Sequence, residues 1–217
     1  MKTAPSSFAS QAKHSARTLA PMALVALTLA GCISLFPKTK PSQLYSFGEA
    51  APAAAPARPA AGSFTVRLAP IGFPIPAAAD RILTMDGERA AYVAGGRWVT
   101  AAANLFETAV VQTFDARGGP ARLLARGEAS PAAYILKLDV RRFEARYDQG
   151  PASAPTVLVE VYAALDSPAD ATRNRERIFV EKAPASDNRI GPIVSAYDQA
   201  VGKACADVAD WVNGRGG

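Results

Sequence analysis

Histidine and cysteine are almost absent from this 217-residue chain. His14 is the only histidine, and Cys32 and Cys205 are the only cysteines. Hydrolases of the Ser-His and Cys-His types need an imidazole, and most zinc sites use several His or Cys ligands. The sequence also lacks a glycine-rich phosphate loop and a Gly-x-Ser-x-Gly motif. We therefore expect no catalytic residues, no cofactor, no metal site and no enzymatic activity.

The N-terminal segment has the layout of a bacterial secretory signal. Three basic residues and no acidic one precede an apolar run at residues 19–30, which is too short to cross a bilayer. Leu29-Ala30-Gly31-Cys32 closes this run and resembles the lipobox of bacterial lipoproteins. The resemblance implies that residues 1–31 are removed, that the Cys32 thiol is lipidated and that its new amino group is acylated, for instance with palmitate. The alternative is an ordinary signal peptide in which a cysteine follows by chance.

Removal of the signal changes the charge of the chain. The precursor has 24 basic and 19 acidic residues and a pI of about 9.4. Cleavage takes away three basic residues, no acidic residue and His14, which leaves 21 basic and 19 acidic residues and a net charge of +2. So small a charge excludes an argument for nucleic-acid binding, and we expect no nucleic-acid partner. With Cys32 lipidated, Cys205 is the only free thiol and cannot form a disulfide within one chain.

Residues 32–62 have the composition of a lipidated tether. Proline recurs in an alanine-rich stretch that has few large apolar side chains, a composition typical of spacers. Leu44-Tyr45-Ser46-Phe47 interrupts this stretch. These four residues are either a first strand that joins the sheet of the domain or an apolar patch within the linker.

The pattern from residue 63 onward predicts a strand, a hairpin and a helix. Alternating apolar residues at 64–68 predict the strand, and Asp86-Gly87 predicts the turn of the hairpin. Gly95-Gly96 is expected to separate the hairpin from a helix whose apolar face includes Trp98. This helix is expected to end before Gly118.

Three strands and a second long helix are predicted to follow. The alternation of Tyr134 to Tyr147 changes phase near Arg141-Arg142, which predicts a β-bulge there. Further strands are expected at residues 157–165 and 177–181. Asp187-Asn188 is expected to start a helix of about 24 residues with one apolar stripe. The order predicts an α+β domain at residues 63–215, with a mostly antiparallel sheet and both amphipathic helices on one face, in two layers.

Few side chains in the domain suggest chemistry. Cys205 lies on the apolar stripe of the last helix and is expected to be a buried small residue. Trp98 and Trp211 are expected to be core residues, with an anchor in an interface as the alternative. Acid pairs such as Asp80 with Asp86 resemble a glycosidase pair only weakly, because carboxylates are common in turns.

Two groups of arginines are expected on exposed sides of strands. Protection of a sheet edge by charge is the simpler explanation, and binding to lipid headgroups or to an acidic partner is the alternative. The groups are Arg141, Arg142 and Arg146, and Arg173, Arg175 and Arg177.

The chain from Cys32 to about Val212 resembles the ABC-type transport auxiliary lipoproteins, the PqiC-like proteins that accompany MCE-domain transport systems. No single motif is specific, and the resemblance depends on their order and spacing. The chain departs from the family pattern in a long Ala-Pro insert at 48–62 and in a long basic region of the signal. The segments that carry it are Cys32, Leu44-Tyr45-Ser46-Phe47, Pro76-Ala77-Ala78-Ala79-Asp80-Arg81-Ile82, Tyr92 with Arg97-Trp98, Tyr134 to Phe143, Ala196-Tyr197-Asp198-Gln199-Ala200 and Trp211-Val212.

The resemblance implies a non-catalytic auxiliary component of a lipid transport machine in the envelope of a diderm bacterium. Its implied partners are an MCE-domain protein and the associated ABC permease and ATPase, and assembly into a homo-oligomer is left open. The protein is expected to face the periplasm. Because Ile33 rather than aspartate follows Cys32, lipid anchoring to the outer membrane is expected. The alternatives are a peptidoglycan-synthase activator, an outer-membrane assembly factor, or a lipid carrier with a groove between helices and sheet.

Overall fold

The computed structural model describes residues 41–48 and 62–214. The predicted signal, Cys32 and most of the predicted tether lie outside these residues. Among the residues that the structure describes, no helix has both the length and the hydropathy needed to span a membrane.

Eight strands and three helices make up the described part of the chain, and all eight strands belong to one sheet. The α+β class predicted from the sequence is confirmed. The elements in order are β1 (Gln43–Tyr45), β2 (Phe64–Leu68), α1 (Ile75–Ala78), β3 (Arg81–Asp86), β4 (Arg89–Trp98), α2 (Ala102–Arg117), β5 (Ala121–Leu123), β6 (Tyr134–Arg146), β7 (Thr156–Asp166), β8 (Arg175–Pro184) and α3 (Ile190–Asn213), with a 3-10 turn at Ala171–Arg173.

Strand β6 organises the sheet because it has partners on both edges. One edge pairs antiparallel with β7 along almost its whole length, and β7 pairs antiparallel with β8. The other edge is shared: β2 pairs with the start of β6 and β3 with its end, both in parallel. Beyond them, β4 and β1 extend the sheet from β3, and β5 extends it from β2. Most paired residues are therefore antiparallel, as predicted, but the short parallel pairings were not anticipated.

The predicted bulge in β6 is confirmed. Its register against β7 shifts between Val140 and Arg142. As a result Val140, Phe143 and Ala145 all face the core and are almost fully buried. One extra residue restores the same buried face after the alternation has changed phase.

The predicted boundary at Gly95-Gly96 and the helical position of Trp98 are wrong. Strand β4 continues through both glycines and ends at Trp98, and α2 begins only at Ala102. Gly95 has a φ of 76°, which suits glycine, in a stretch of β4 that has no paired residues in β3. A Cβ on Gly96 would lie 3.0 Å from Ile190 Cγ2, so this glycine permits α3 to approach the strand. Gly95 thus allows a bulge and Gly96 allows a close contact, and neither glycine marks the end of an element.

Both long helices cover one face of the sheet, as predicted. Phe143 of β6 contacts the ring of Phe106 on α2 and that of Tyr197 on α3, with centroids 6.5 and 4.9 Å apart. The predicted terminator of α2 is confirmed, because Gly118 caps it with a φ of 62° and its N–H donates to the Phe114 carbonyl. The last helix has the predicted length and a continuous buried stripe.

The segment Leu44 to Phe47 contains a strand, which decides between the two alternatives left by the sequence. Within it, β1 pairs in parallel with the end of β4, and Tyr45 lies beside Trp98. The next aromatic residue, Phe47, is 3% exposed and lies in the core. The sheet therefore includes residues from within the predicted tether.

Candidate interaction surface

The space between the helices and the sheet is filled by a cluster of aromatic side chains. Tyr197 is completely buried within it and donates a hydrogen bond to the Leu83 carbonyl at 2.9 Å. Burial raises the pKa of Tyr197 well above its usual range. A lipid carrier would hold an acyl chain in this layer, and side chains occupy that volume. The other rings of the cluster are Phe47, Phe73, Trp98, Phe106 and Phe143.

A groove of about 900 Å³ opens instead at one end of the domain, where the chain enters the sheet. We call it the entry groove. Its walls come from residues within 43–45 of β1, 84–94 of the β3–β4 hairpin, 147–151 after β6 and 188–193 at the start of α3. It is therefore built from four segments that are distant in sequence.

Hydrogen bonds fix the loop side of the entry groove. The Tyr147 hydroxyl donates to Asn188 Oδ1 at 2.8 Å, and Asn188 Nδ2 donates to the Pro151 carbonyl at 2.9 Å. Partial burial raises the pKa of the Tyr147 hydroxyl, so that it stays a neutral donor at physiological pH. These bonds tie the loop after β6 to the residues that precede α3.

The charged residues of the entry groove are not all neutralised. Arg189 at the start of α3 donates to Asp187 at 2.6 Å and provides no side-chain cap to the helix. Arg89 of β4 is exposed, and its side chain has no ion pair or hydrogen bond within the described ranges. Tyr45 and Tyr92 add half-buried aromatic rings to the same groove. The groove is therefore aromatic and polar, and the cation Arg89 lies across the strand pair from the carboxylate of Asp86, which also lines the groove.

The face of the sheet opposite the long helices has a different character. We call the part of it on β6, β7 and β8 the open face. The Arg141 guanidinium lies over the Tyr162 ring at 4.5 Å, and Ile178 pairs across strands with Tyr162. Ile178 and Val180 lie in the predicted last strand, and their side chains are 50% and 49% exposed. Phe179, between the two, faces the other way and is buried.

The arginines of β6 are neutralised by carboxylates on the open face. Glu144 is buried, and its carboxylate forms ion pairs with Arg142 at 3.3 Å and with Arg146 at 2.9 Å. Arg146 also pairs with Asp148, and the hydrogen bonds that it donates to Asp148 and then to Glu144 raise the pKa of Arg146. Edge protection does not explain these arginines, because β6 is an interior strand. They form an ion-pair network across and along strands instead.

The second arginine group lies at the free edge of the sheet. Among the strands that the structure describes, β8 pairs only with β7, so Arg175 and Arg177 lie on an edge strand, where charge discourages association. Arg173 belongs to the preceding 3-10 turn. Arg175 donates to the carbonyls of Thr172 and Asn174 and so closes that turn.

The other residues that the sequence analysis considered for chemistry are mostly buried or paired within the domain. Cys205 is buried on α3, and burial raises the pKa of its thiol to about 12. Trp211 is also buried and contacts Phe179. Asp80 pairs with Arg97 at 2.8 Å, and Asp86 lines the entry groove. Within residues 41–48 and 62–214 no three potential metal ligands converge.

Sequence reasoning did not identify the entry groove. The sequence predicts that Tyr147 belongs to a strand and that Asn188 lies at the start of a helix, and the structure shows both as hydrogen-bonded residues of the groove. Local patterns contain no signal for such a site, because its walls depend on which ends of distant elements meet. The lipidation site Cys32 lies outside the described residues and stays a prediction.

The class that this fold defines is a one-sheet α+β domain covered by two helices, and the comparisons give its family. The sequence model of the ABC-type transport auxiliary lipoprotein component matches residues 45–209, about three quarters of the chain. The chain belongs to this family. None of the curated proteins matches it.

Two solved structures are similar in fold. Protein XCC0632 from Xanthomonas campestris, assigned to the DUF330 family, is 22% identical with a TM-score of 0.68, over 81% of this chain and 97% of that one. A second, uncharacterized protein is 12% identical with a TM-score of 0.62, over 80% of this chain and 99% of that one. At these identities the likeness supports the fold alone.

Proposed function

We propose that this protein is a non-catalytic docking component of an ABC transport system that moves lipid through the bacterial envelope. In this account lipid on Cys32 anchors the protein to the outer membrane, with the domain in the periplasm. Its partner is an MCE-domain protein that works with an ABC permease and ATPase. Family membership supports the transport role, and the MCE partner, the lipid cargo and the anchoring membrane are the proposed part.

The single observation that supports a docking role most directly is the open face. The helices cover the opposite side of the sheet, whereas Ile178 and Val180 on the open face stay about half exposed. The arginines beside them are largely paired with carboxylates. A partner on this face would therefore contact apolar and aromatic side chains, and charge attraction would contribute little.

The test is affinity purification of a C-terminally tagged copy from gently solubilised membranes, followed by mass spectrometry. Co-recovery of an MCE-domain protein, with or without its permease and ATPase, is expected. Recovery of a cell-wall synthase or of barrel-assembly proteins would show that the family is right and the proposed function wrong.

Two variants sharpen this experiment. Ile178→Asp places a charge on the open face, and we expect co-recovery of the partner to fall about tenfold, a loss of roughly 1.4 kcal/mol in affinity. Val111→Asp is the matched control, because Val111 is 38% exposed on α2, away from the open face. Equal losses in both variants would contradict the open face as the docking surface. A separate Cys32→Ala variant should remain soluble or stay unprocessed, and normal processing with normal membrane fractionation would contradict the anchor.

A further inference from the structure

We infer that the entry groove faces the membrane and receives the phosphate-bearing headgroups of phospholipids in the bilayer that holds the anchor. This inference rests on the proposed function only in requiring lipid on Cys32. It assigns to the groove a role separate from partner docking, which we place on the open face.

The first argument is the length of the chain between anchor and groove. Eight residues, 33–40, separate Cys32 from Pro41, and a fully extended chain across this gap spans at most about 30 Å. The next residues to form structure are those of β1, and two of them, Gln43 and Tyr45, line the entry groove. The end of the domain that carries the groove is thus the end that the anchor holds near the bilayer.

The second argument is the distance to the other end of the domain. The eleven residues of β7 separate the loop at Pro151 from the turn at Ala171 by about 36 Å. The 24 residues of α3 give a similar length of about 36 Å from the groove to the opposite end. The eight residues 33–40 therefore hold the groove end of the domain near the membrane and leave the opposite end unrestrained.

The third argument is the chemistry of the entry groove. Tyr45, Tyr92 and Tyr147 carry an apolar ring and a polar hydroxyl, the combination enriched where proteins meet the headgroup layer. Arg89 is a cation without a protein partner among the described residues, and it suits a phosphate group. The Arg81 guanidinium stacks on the ring of Tyr92, 3.6 Å from its centroid, and so helps to hold this groove residue in place.

The arginines of the open face make the contrast clear. Arg142 and Arg146 are paired with carboxylates and are not available for phosphate. An anionic membrane surface is attracted by cations that lack such partners, and Arg89 in the entry groove is one. The observations therefore favour the groove end over the open face as the membrane contact.

The experiment uses the lipidated full chain in vesicles of phosphatidylethanolamine and phosphatidylglycerol. A fluorophore is attached at Glu88→Cys, an exposed position in the hairpin beside Arg89, or at Ala171→Cys, an exposed position at the opposite end. Cys205 does not interfere because it is buried. A nitroxide on the lipid headgroups then quenches whichever label lies at the bilayer surface.

We expect strong quenching at position 88 and little at position 171. Arg89→Glu should lower the groove-end quenching about fivefold or more, whereas the matched reversal Arg173→Glu at the other end should leave it unchanged. Equal quenching at both positions, stronger quenching at 171, or none at either in protein that floats with the vesicles would overturn the inference and leave the anchor intact. Failure of the unlabelled protein to float with vesicles would overturn both the anchor and the inference.

Discussion

The ring of Phe47 packs edge to face against the indole of Trp98, with centroids 4.8 Å apart. Both side chains are almost completely buried. Phe47 lies two residues after β1, within the stretch predicted to be the tether. Residues 43–47 are therefore held by the sheet and the core of the domain.

Phe47→Ala tests this attachment. Removing a buried phenylalanine should lower the free energy of unfolding by about 3–5 kcal/mol, because it creates a cavity beside Trp98 and Phe143. Urea denaturation followed by tryptophan fluorescence measures the change. The control is Leu44→Ala in β1, which is 63% exposed and should cost less than about 0.5 kcal/mol. A loss below about 1 kcal/mol for Phe47→Ala would contradict a structural role for this segment.

Gly48→Ala should also destabilise the domain. Gly48 has a φ of 70°, and an added Cβ would lie 2.5 Å from the Cβ of Ala109 on α2. We expect a loss of about 1–3 kcal/mol in the free energy of unfolding, measured by the same denaturation. The matched control is Gly191→Ala in the first turn of α3, where nothing lies within 4 Å of an added Cβ, and no loss is expected. Ala109→Gly should cost less stability in the Gly48→Ala background than in the wild type, because it removes the close contact; equal costs in the two backgrounds would contradict the contact.

Periodicity predicted those elements whose pattern is continuous along the chain. The phase change near Arg141-Arg142 predicted the bulge, and the apolar stripe of α3 predicted the length of that helix, because a buried face requires apolar residues at regular intervals in the sequence. Gly95-Gly96 misled the prediction because glycine marks both the end of an element and a close approach within one. Ile190, which packs on Gly96, is far away in sequence, so no local rule separates these two cases.

Local sequence patterns could not predict the parallel pairings or the entry groove, because both depend on contacts between elements that are distant in sequence. β1 and β5 are three residues long, too short for a periodic signal. Both are fixed by pairing with strands distant in sequence, β1 with β4 and β5 with β2. Arg89 gains its significance only from the loop at Tyr147 and the start of α3 brought beside it.

Glu128 should titrate far below an ordinary glutamate. Hydrogen bonds from Arg122, then from Ser130 and the Ala125 N–H, lower its pKa to about 2. Because the pKa is lower in the folded state, its contribution to stability is present above about pH 4.3 and is lost as pH falls toward 2. NMR of the side-chain carboxyl carbon measures the midpoint. Ser130→Ala should raise this midpoint, and a wild-type midpoint near 4 would contradict the hydrogen-bonded loop.

Cys205 should be inert in the native protein. Its pKa of about 12 leaves very little thiolate at pH 8.5, and burial also blocks access. Alkylation by iodoacetamide should be more than about 100-fold slower in the folded protein than in urea. Mass spectrometry over time gives both rates. Comparable rates in the two states would show that the thiol is accessible and that α3 does not cover it.

Photo-crosslinking in living cells tests the central claim most directly. A benzophenone amino acid replaces Ile178 on the open face, and in a matched strain it replaces Val111 on α2. After irradiation, mass spectrometry identifies the protein bound at each position. We predict an adduct with an MCE-domain protein from position 178 and none from position 111. An adduct from position 178 with a cell-wall synthase or a barrel-assembly protein, or an MCE adduct from position 111 alone, would contradict the account.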